Sequence, residues 1–249
     1  MIGHIAAREL RSLFLSPLAW SVLAVVELII AYLFLGQVDE YVRVQPQLAQ
    51  LESAPGLTEW VAGPVFGTAA VVLLLVAPLL TMRLVSEERR SGTLPLLLSA
   101  PVSMTEIVMG KYLGVMSFFL VMVGIIALMP LSLLFGGTLD FGLLATQVLG
   151  LTLMLAAFAA AGLFMSTLTG QPTVAAVASF GILLLLWILD FAGGAAGGDG
   201  LFAYLSLRRH HEALLKGILD TSDLAYYLLF IITFLVLSIR RLDAERLQS

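Results

Sequence analysis

The sequence contains no cysteine among its 249 residues, so disulfides, thiol nucleophiles and cysteine-ligated metal sites are excluded. Charge is also scarce, because only 12% of the residues are charged whereas 60% are hydrophobic. A soluble domain of this length could not remove so much apolar surface from water. The composition therefore predicts an integral membrane protein.

The chain also lacks the alternation of apolar and polar residues that a membrane-spanning strand requires, since residues 113–135 are apolar on every side. Helices then remain to satisfy all backbone polar groups within hydrocarbon. Six apolar segments, most of them near the ~20 residues that cross a bilayer, predict an all-α integral membrane fold with residues 1–249 in a single transmembrane domain. The predicted transmembrane helices are 18–38, 63–83, 112–135, 143–168, 172–192 and 223–240.

Lys and Arg are distributed unevenly among the segments that join these spans. If the N-terminus lies inside, nine of the 13 Lys and Arg residues fall on the inner side. An excess of positive charge marks the cytoplasmic loops of membrane proteins. Both termini are therefore predicted to be cytoplasmic, although Arg208 and Arg209 lie in an outer segment and run against the pattern.

Three segments outside the spans are predicted to be helical. Residues 1–17 form an amphipathic pattern typical of an interfacial helix. Glu9 falls on the apolar side, which indicates either a specific partner or an imprecise assignment of the helix faces. The second segment, residues 86–99, lies within the cytoplasmic region 84–111. The third, 201–219 within the external region 193–222, is polar at Arg208 to Glu212 and apolar towards its end.

Several catalytic signatures are missing. A zinc protease needs H-E-x-x-H, but His211-Glu212 is followed by Leu215 at the position of the second histidine. No serine-hydrolase motif and no phosphate-binding loop occur, since Lys111 follows a single glycine and precedes Tyr112. We therefore assign no catalytic residues, no metal site and no cofactor, and any ATP-driven function would need an ATPase on another chain.

Glu27 is the one formally charged residue deep within a predicted span. A carboxylate there costs about 2.5–3.5 kcal/mol on insertion scales, so an interaction should offset it. Two interpretations remain open: a polar site on a substrate or proton pathway, or a protonated acid hydrogen-bonded to a neighbouring helix.

Small residues cluster in the fourth predicted span, at Ala156, Ala157, Ala159, Ala160, Ala161 and Gly162. Such a surface allows another helix to approach closely. The neighbour could belong to the same chain or to a second copy.

The segment from Ser86 to Pro101 combines an ionic cluster with the apolar run LPLLLSAP. A solvated loop rarely carries so many apolar residues directly after its charges. Apolar residues beside charges, held under the membrane, suit a docking surface for a soluble protein.

At this segment the sequence resembles permeases of the type-2 ABC exporter superfamily. Their loop after the second helix typically reads S/D-E-R/K-E-x-G-T-L-E-x-L-L-x-x-P and is followed by E-I-x-x-G-K. This chain reads SEERRSGTLPLLLSAPVSMTEIVMGKYLG from Ser86 to Gly114, with Pro95 in place of the family's last glutamate. Arg8 to Trp20 and Tyr204 to Tyr227 are most similar to the ends of the gliding-motility-associated permeases, so the resemblance covers almost the whole chain.

The resemblance implies a function as the permease subunit of an ATP-driven transporter in the bacterial inner membrane. It implies a connecting helix at 4–16, a cytoplasmic coupling helix between helices 2 and 3 and an external helix between helices 5 and 6. The implied ATPase-docking residues are Glu87, Glu88, Arg89, Arg90, Gly92, Thr93 and Leu94.

By the same resemblance the partners would be an ABC ATPase subunit, which would bind ATP and Mg, a second permease copy in a homodimer, and a membrane-anchored protein with a periplasmic domain. The lipid bilayer surrounds the chain, and no nucleic acid is expected. Two other hypotheses stay open: a membrane enzyme using Glu87-Glu88 or the His210-His211-Glu212 group, and a proton-linked carrier working through Glu27.

Overall fold

The computed structural model describes residues 1–48, 56–99, 102–195 and 204–247, and their regular structure is helical throughout. The helices are α1 (Ile2–Leu15), α2 (Pro17–Leu48), a π-helical turn (Thr58–Ala62) that continues into α3 (Gly63–Thr81), α4 (Ser86–Arg90), α5 (Leu94–Ser99), α6 (Met104–Leu131), a 3-10 turn (Ser132–Phe135), α7 (Phe141–Leu168), α8 (Pro172–Ala195), α9 (Leu207–Leu215) and α10 (Thr221–Arg246).

Six of these segments are long and apolar enough to cross a membrane, which confirms the predicted fold class and number of spans. Several helices extend beyond the predicted spans. The helix α2 continues to Leu48 and α6 begins at Met104, because polar residues outside the hydrocarbon do not interrupt a helix. The six spanning segments are Pro17–Gln47, Thr58–Arg90, Met104–Phe135, Phe141–Leu168, Pro172–Leu189 and Thr221–Arg246.

The helix α7 lies at the centre of the bundle, packed against α3, α6, α8 and α10. Its small residues permit this close packing. A Cβ atom on Gly162 would lie 2.6 Å from the Cβ of Thr81 in α3. The alanines at 156, 157, 159, 160 and 161 are buried within the same chain, so the small-residue surface serves packing inside this chain.

The bundle has two ends. The α4 end carries α1, α4 and the last turns of α7 and α10, and the α9 end carries the π-helical turn and α9. The helix α9 packs against α7 and α8, with Leu207, His210, His211 and Leu214 buried. Two of the polar residues in the segment from Arg208 to Glu212, His210 and His211, are thus covered by nearby helices. Residues 201–203 of the predicted external helix lie outside the described residues.

Candidate functional site

The α4 end is organised around a break in the second span. The helix α3 ends at Thr81, residues 82–85 form a turn, and α4 begins at Ser86. The hydroxyl of Ser166 in α7 accepts hydrogen bonds from the backbone N–H groups of Val85 and Ser86, at 2.9 and 3.0 Å, and donates to the carbonyl of Met82 at 3.0 Å. One side chain thus satisfies backbone groups that the break leaves without helical partners.

Lys111 joins α4 to two other helices. Its ammonium lies 2.8 Å from Glu88 Oε1 in α4 and 3.4 Å from Glu9 Oε2 in α1. The lysine side chain is only 4% exposed, so two carboxylates compensate a buried cation. Lys111 is therefore the partner that the position of Glu9 on the apolar side of α1 called for.

Two glycines of α6 bring α1 close enough for this pairing. A Cβ on Gly110 would lie 2.6 Å from the Cβ of Ile5, and one on Gly114 would lie 2.6 Å from the Cβ of Glu9. The two glycines are four residues apart and share one face of α6. Glycine at both positions therefore allows α1 to lie directly against α6, and Lys111 follows the first of them.

Arg89 joins α4 to the other side of the bundle. Its guanidinium lies 2.5 and 2.7 Å from the two carboxylate oxygens of Glu245 in α10. It also donates to the carbonyl of Thr167, near the end of α7, at 2.8 Å. Charge-assisted hydrogen bonds of this kind fix geometry as well as adding energy, so α4 is held to α7 and α10 together.

Gly92 ends α4 in the left-handed conformation, with φ of +71°. The N–H of Thr93 bonds to the carbonyl of Glu88 at 3.0 Å, and the N–H of Gly92 bonds to that of Arg89 at 3.2 Å. This pair of bonds is the Schellman motif, which favours glycine at this position. The sequence S-G-T therefore divides the predicted 86–99 helical segment into two short helices, α4 and α5.

The seven residues with a predicted docking role do not share one surface. Glu88 and Arg89 are partly buried by the pairings described above, and Leu94 is buried at 6% exposure. Leu97 also packs against the core, so these two leucines of the apolar run face inwards. The solvent-facing members are Glu87, Arg90, Gly92 and Thr93, together with Ser91 between them.

This arrangement, which we call the α4 junction, connects one five-residue helix to four others. Through Glu88 and Arg89, α4 contacts charged groups of α6 and α10 and a backbone carbonyl of α7. Lys111 of α6 extends the connection to Glu9 of α1. A displacement of α4 would therefore act on several helices together. Sequence reasoning missed Lys111, Ser166 and Glu245, and only the position of Glu9 gave a signal for any of these contacts.

At the α9 end, His210 and His211 face different surroundings. The Nδ1 of His210 lies 2.5 Å from Asp223 Oδ1 and its Nε2 lies 2.8 Å from the carbonyl of Tyr204. His211 makes no hydrogen bond of normal geometry within the described part of the chain, although the carbonyls of Phe66 and Gly150 lie near it. Burial lowers the pKa of His211 to about 4. The two imidazoles therefore do not converge on one site, which argues against the enzyme hypothesis for this group.

Glu27 lies in the first span with both carboxylate oxygens buried. Neither oxygen has a hydrogen-bond partner among the residues that the structure describes. The hydrogen bond to a neighbouring helix, which was one of the two interpretations, is therefore not formed there. A role for Glu27 as an intramembrane polar site stays a prediction.

Comparison with known proteins identifies the family. The family model described as ABC-2 family transporter protein matches residues 4–247. No curated protein matches the chain with significant similarity. The match includes the α4 junction and all six spanning segments, and such proteins are the membrane components of ABC transporters, which partner with an ABC ATPase subunit. The chain therefore belongs to the ABC-2 family of transporter proteins, as a multi-pass membrane permease.

Proposed function

We propose that this permease couples ATP hydrolysis on a separate ATPase subunit to the movement of a substrate or to work on a periplasmic partner, with α4 as the coupling helix. The observation that carries the proposal is the α4 junction. A short helix at one end of the bundle presents charged residues outwards while its other charges connect to α1, α6 and α10.

In this proposal one group of residues contacts the ATPase and a second group connects α4 to the rest of the bundle. Glu87, Arg90 and the exposed turn Ser91 to Thr93 contact the ATPase. Glu88 and Arg89 transmit the displacement of α4 through Lys111 and Glu245. Fewer residues are therefore proposed to contact the ATPase than the sequence predicted, because a side chain that is already paired inside the permease is less available to a partner.

The remaining parts of the proposal rest on the resemblance to gliding-motility-associated permeases and on the distribution of charge. The α4 end lies in the cytoplasm of a bacterium, the chain sits in the inner membrane, and α1 lies at the membrane surface as the connecting helix. The permease works as a homodimer on two ATPase subunits that bind ATP and Mg. A membrane-anchored protein with a periplasmic domain completes the complex.

The test is purification of the native complex through a tag on this chain, with ATP hydrolysis and polypeptide identity as readouts. We expect a polypeptide with a phosphate-binding loop to copurify and the complex to hydrolyse ATP. Arg90→Glu should reduce the amount of copurified ATPase, because it reverses a charge on the exposed side of α4.

Arg8→Glu is the matched control. Arg8 is also an exposed arginine at the α4 end, but it lies in α1, outside the loop motif. Arg8→Glu should leave copurification unchanged. Equal losses in both variants, or a complex without any phosphate-loop protein, would contradict the proposal.

A further inference from the structure

The turn at residues 82–85 interrupts the helical hydrogen bonds of the second span. In a continuous helix the N–H groups of Val85 and Ser86 would bond to the carbonyls four residues earlier. Both N–H groups bond instead to the hydroxyl oxygen of Ser166 in α7, at 2.9 and 3.0 Å. The break in one helix is therefore completed by a side chain of another.

The hydroxyl of Ser166 uses its full hydrogen-bonding capacity at this break. It donates to the carbonyl of Met82 at 3.0 Å and accepts from the two N–H groups, and a hydroxyl can donate one hydrogen bond and accept two. Ser166 is 0% exposed, so bulk water does not reach it. Because a buried N–H is costly to leave without an acceptor, loss of this hydroxyl would favour an arrangement that supplies other acceptors.

The helices on the two sides of the turn are held in different ways. Before the turn, α3 packs closely on α7, where a Cβ atom on Gly162 would lie 2.6 Å from the Cβ of Thr81. After the turn, α4 is held to α6 and α10 through the ion pairs of Glu88 and Arg89. Ser166 lies one helical turn after Gly162 and shares its face of α7. Ser166 is thus placed where a tightly packed helix meets a short helix held by side-chain pairs.

We propose that Ser166 is a positioning residue for coupling, and that its hydroxyl fixes the orientation of α4 relative to α3. Without the hydroxyl, the N–H groups of Val85 and Ser86 bond to the carbonyls four residues earlier, and the second span continues as one helix through the turn. The exchange preserves both N–H bonds, which makes the continuous helix the accessible alternative. The inference rests on the proposed function, because it concerns how the docking surface of α4 is placed.

A continuous helix would displace the residues proposed to contact the ATPase. Each helical residue adds a rise of 1.5 Å and a rotation of about 100°. Conversion of residues 82–85 from a turn into helix therefore changes both the height and the direction of the side chains that follow. Glu87 and Arg90, which are exposed in α4, would no longer face the partner in the same way.

The orientation of α4 can be measured in the isolated full-length permease by double electron–electron resonance between two spin labels. The chain has no cysteine of its own, so the exposed positions in Ser91→Cys and Ser222→Cys, at opposite ends of the bundle, can be labelled specifically. We expect a narrow distance distribution in the parent. In Ser166→Ala the mean distance should lengthen by about 5 Å, because Ser91 follows Ser86 by about 7.5 Å of helix.

Two controls separate the effect of this hydroxyl from a general loosening of the bundle. Ser179→Ala removes another buried hydroxyl, which donates to a carbonyl of its own helix at 2.7 Å, and should leave the distance unchanged. A second label pair, Ser12→Cys with Ser222→Cys, reports on α1, which packs against α6, and should not respond to Ser166→Ala. An unchanged Ser91 distance in Ser166→Ala, or equal changes in both label pairs, would overturn the proposal.

Rescue by a conservative variant provides a second measurement. Ser166→Thr and Ser166→Val give side chains of nearly equal shape that differ in the hydroxyl. Ser166→Thr should keep the parent distance, whereas Ser166→Val should show the longer distance of Ser166→Ala. Equal distances in the threonine and valine variants would assign the effect to side-chain volume and would also overturn the proposal.

Copurification of the ATPase distinguishes a failure of this inference from a failure of the proposed function. Ser166→Ala should lower the amount of copurified ATPase about tenfold, which corresponds to about 1.4 kcal/mol, and Ser166→Thr should retain it. The distance measurement needs neither the ATPase nor ATP, so it tests the role of Ser166 by itself. A lengthened distance with the full amount of ATPase retained would contradict docking through α4, and the positioning role would fall with it.

Discussion

At the scale of single residues, Lys111 is the buried cation of the α4 junction, and its charge must be compensated by nearby carboxylates. Its buried ammonium stands between Glu88 and Glu9, and removing one member of a buried ion pair leaves the other charges uncompensated. We expect Lys111→Met to lower the free energy of unfolding by about 3 kcal/mol, measured by unfolding in mixed micelles with increasing SDS. Adding Glu9→Gln and Glu88→Gln to that variant should recover most of the loss.

The control for this prediction is Lys216→Met. Lys216 also pairs with a glutamate, since its Nζ lies 2.9 Å from Glu212 Oε1, but its side chain is 65% exposed. An exposed pair contributes about 0.2–1 kcal/mol. If Lys111→Met and Lys216→Met lowered the free energy of unfolding by comparable amounts, the pairing of Lys111 with Glu9 and Glu88 would not stabilise the fold as a buried ion pair does.

His211 should make the stability of the protein depend on pH. Burial lowers its pKa from 6.5 to about 4, so between these values the unfolded chain binds a proton that the folded chain does not. The contribution of His211 to the free energy of unfolding is therefore fully present above about pH 6.5. It declines as the pH falls towards 4, by about 3 kcal/mol in total. Unfolding measured from pH 7 to pH 4 should show this decline in the parent protein and in His4→Gln, where the substituted histidine is exposed, and much less of it in His211→Gln.

The sequence predicted some residues of the candidate site but not their partners. The loop motif indicated Glu87 to Leu94 because its residues are consecutive and carry a recognisable pattern. The contacts of Glu88 and Arg89 could not be derived in this way, because Glu245 lies 156 positions after Arg89 and Glu9 lies 102 positions before Lys111. Such pairings depend on how the helices pack, which local sequence does not specify.

At the scale of helices, the contact between α1 and α6 depends on two small residues. Gly110→Ala would place a Cβ atom 2.6 Å from the Cβ of Ile5, and overpacking of this kind costs about 1–3 kcal/mol. We expect lower stability in SDS unfolding and faster limited proteolysis of α1, followed through an N-terminal tag. Gly114→Ala should behave in the same way.

Gly124→Ala on the same helix provides the comparison. A Cβ at position 124 would meet no atom within 4 Å. There alanine should be neutral or should stabilise the helix by up to about 1 kcal/mol, because glycine has the lower helix propensity. If Gly110→Ala and Gly124→Ala proved equally stable, the close approach of α1 to α6 would be wrong.

The two short helices at the α4 end illustrate what local patterns can and cannot predict. Helical character at 86–99 was predicted for a segment in which a charged cluster is followed by an apolar run. The break at Gly92 follows from its positive φ and the two bonds of the Schellman motif. Glycine after a charged run is compatible with either a continuous helix or an end, so only the structure distinguishes the two.

At the scale of the whole molecule, the number and order of the spans were predictable because an apolar length of about 20 residues is a local property. The depth of each helix in the bundle was not. Most residues in the spans of α3 and α7 are buried, whereas few residues in the spans of α2 and α8 are buried. Lipid-facing and protein-facing side chains are both apolar in a membrane, so hydropathy does not separate them.

The orientation of the molecule can be tested with single cysteines, because the natural sequence contains none. Ser91 at the α4 end and Ser222 at the α9 end are both exposed. The excess of Lys and Arg at the α4 end predicts that this end is cytoplasmic. A membrane-impermeant maleimide added to intact spheroplasts should therefore label Ser222→Cys and not Ser91→Cys, and both should react after permeabilisation. Labelling of Ser91→Cys alone would invert the orientation, move the proposed docking surface to the outside and remove any access of a cytoplasmic ATPase to α4.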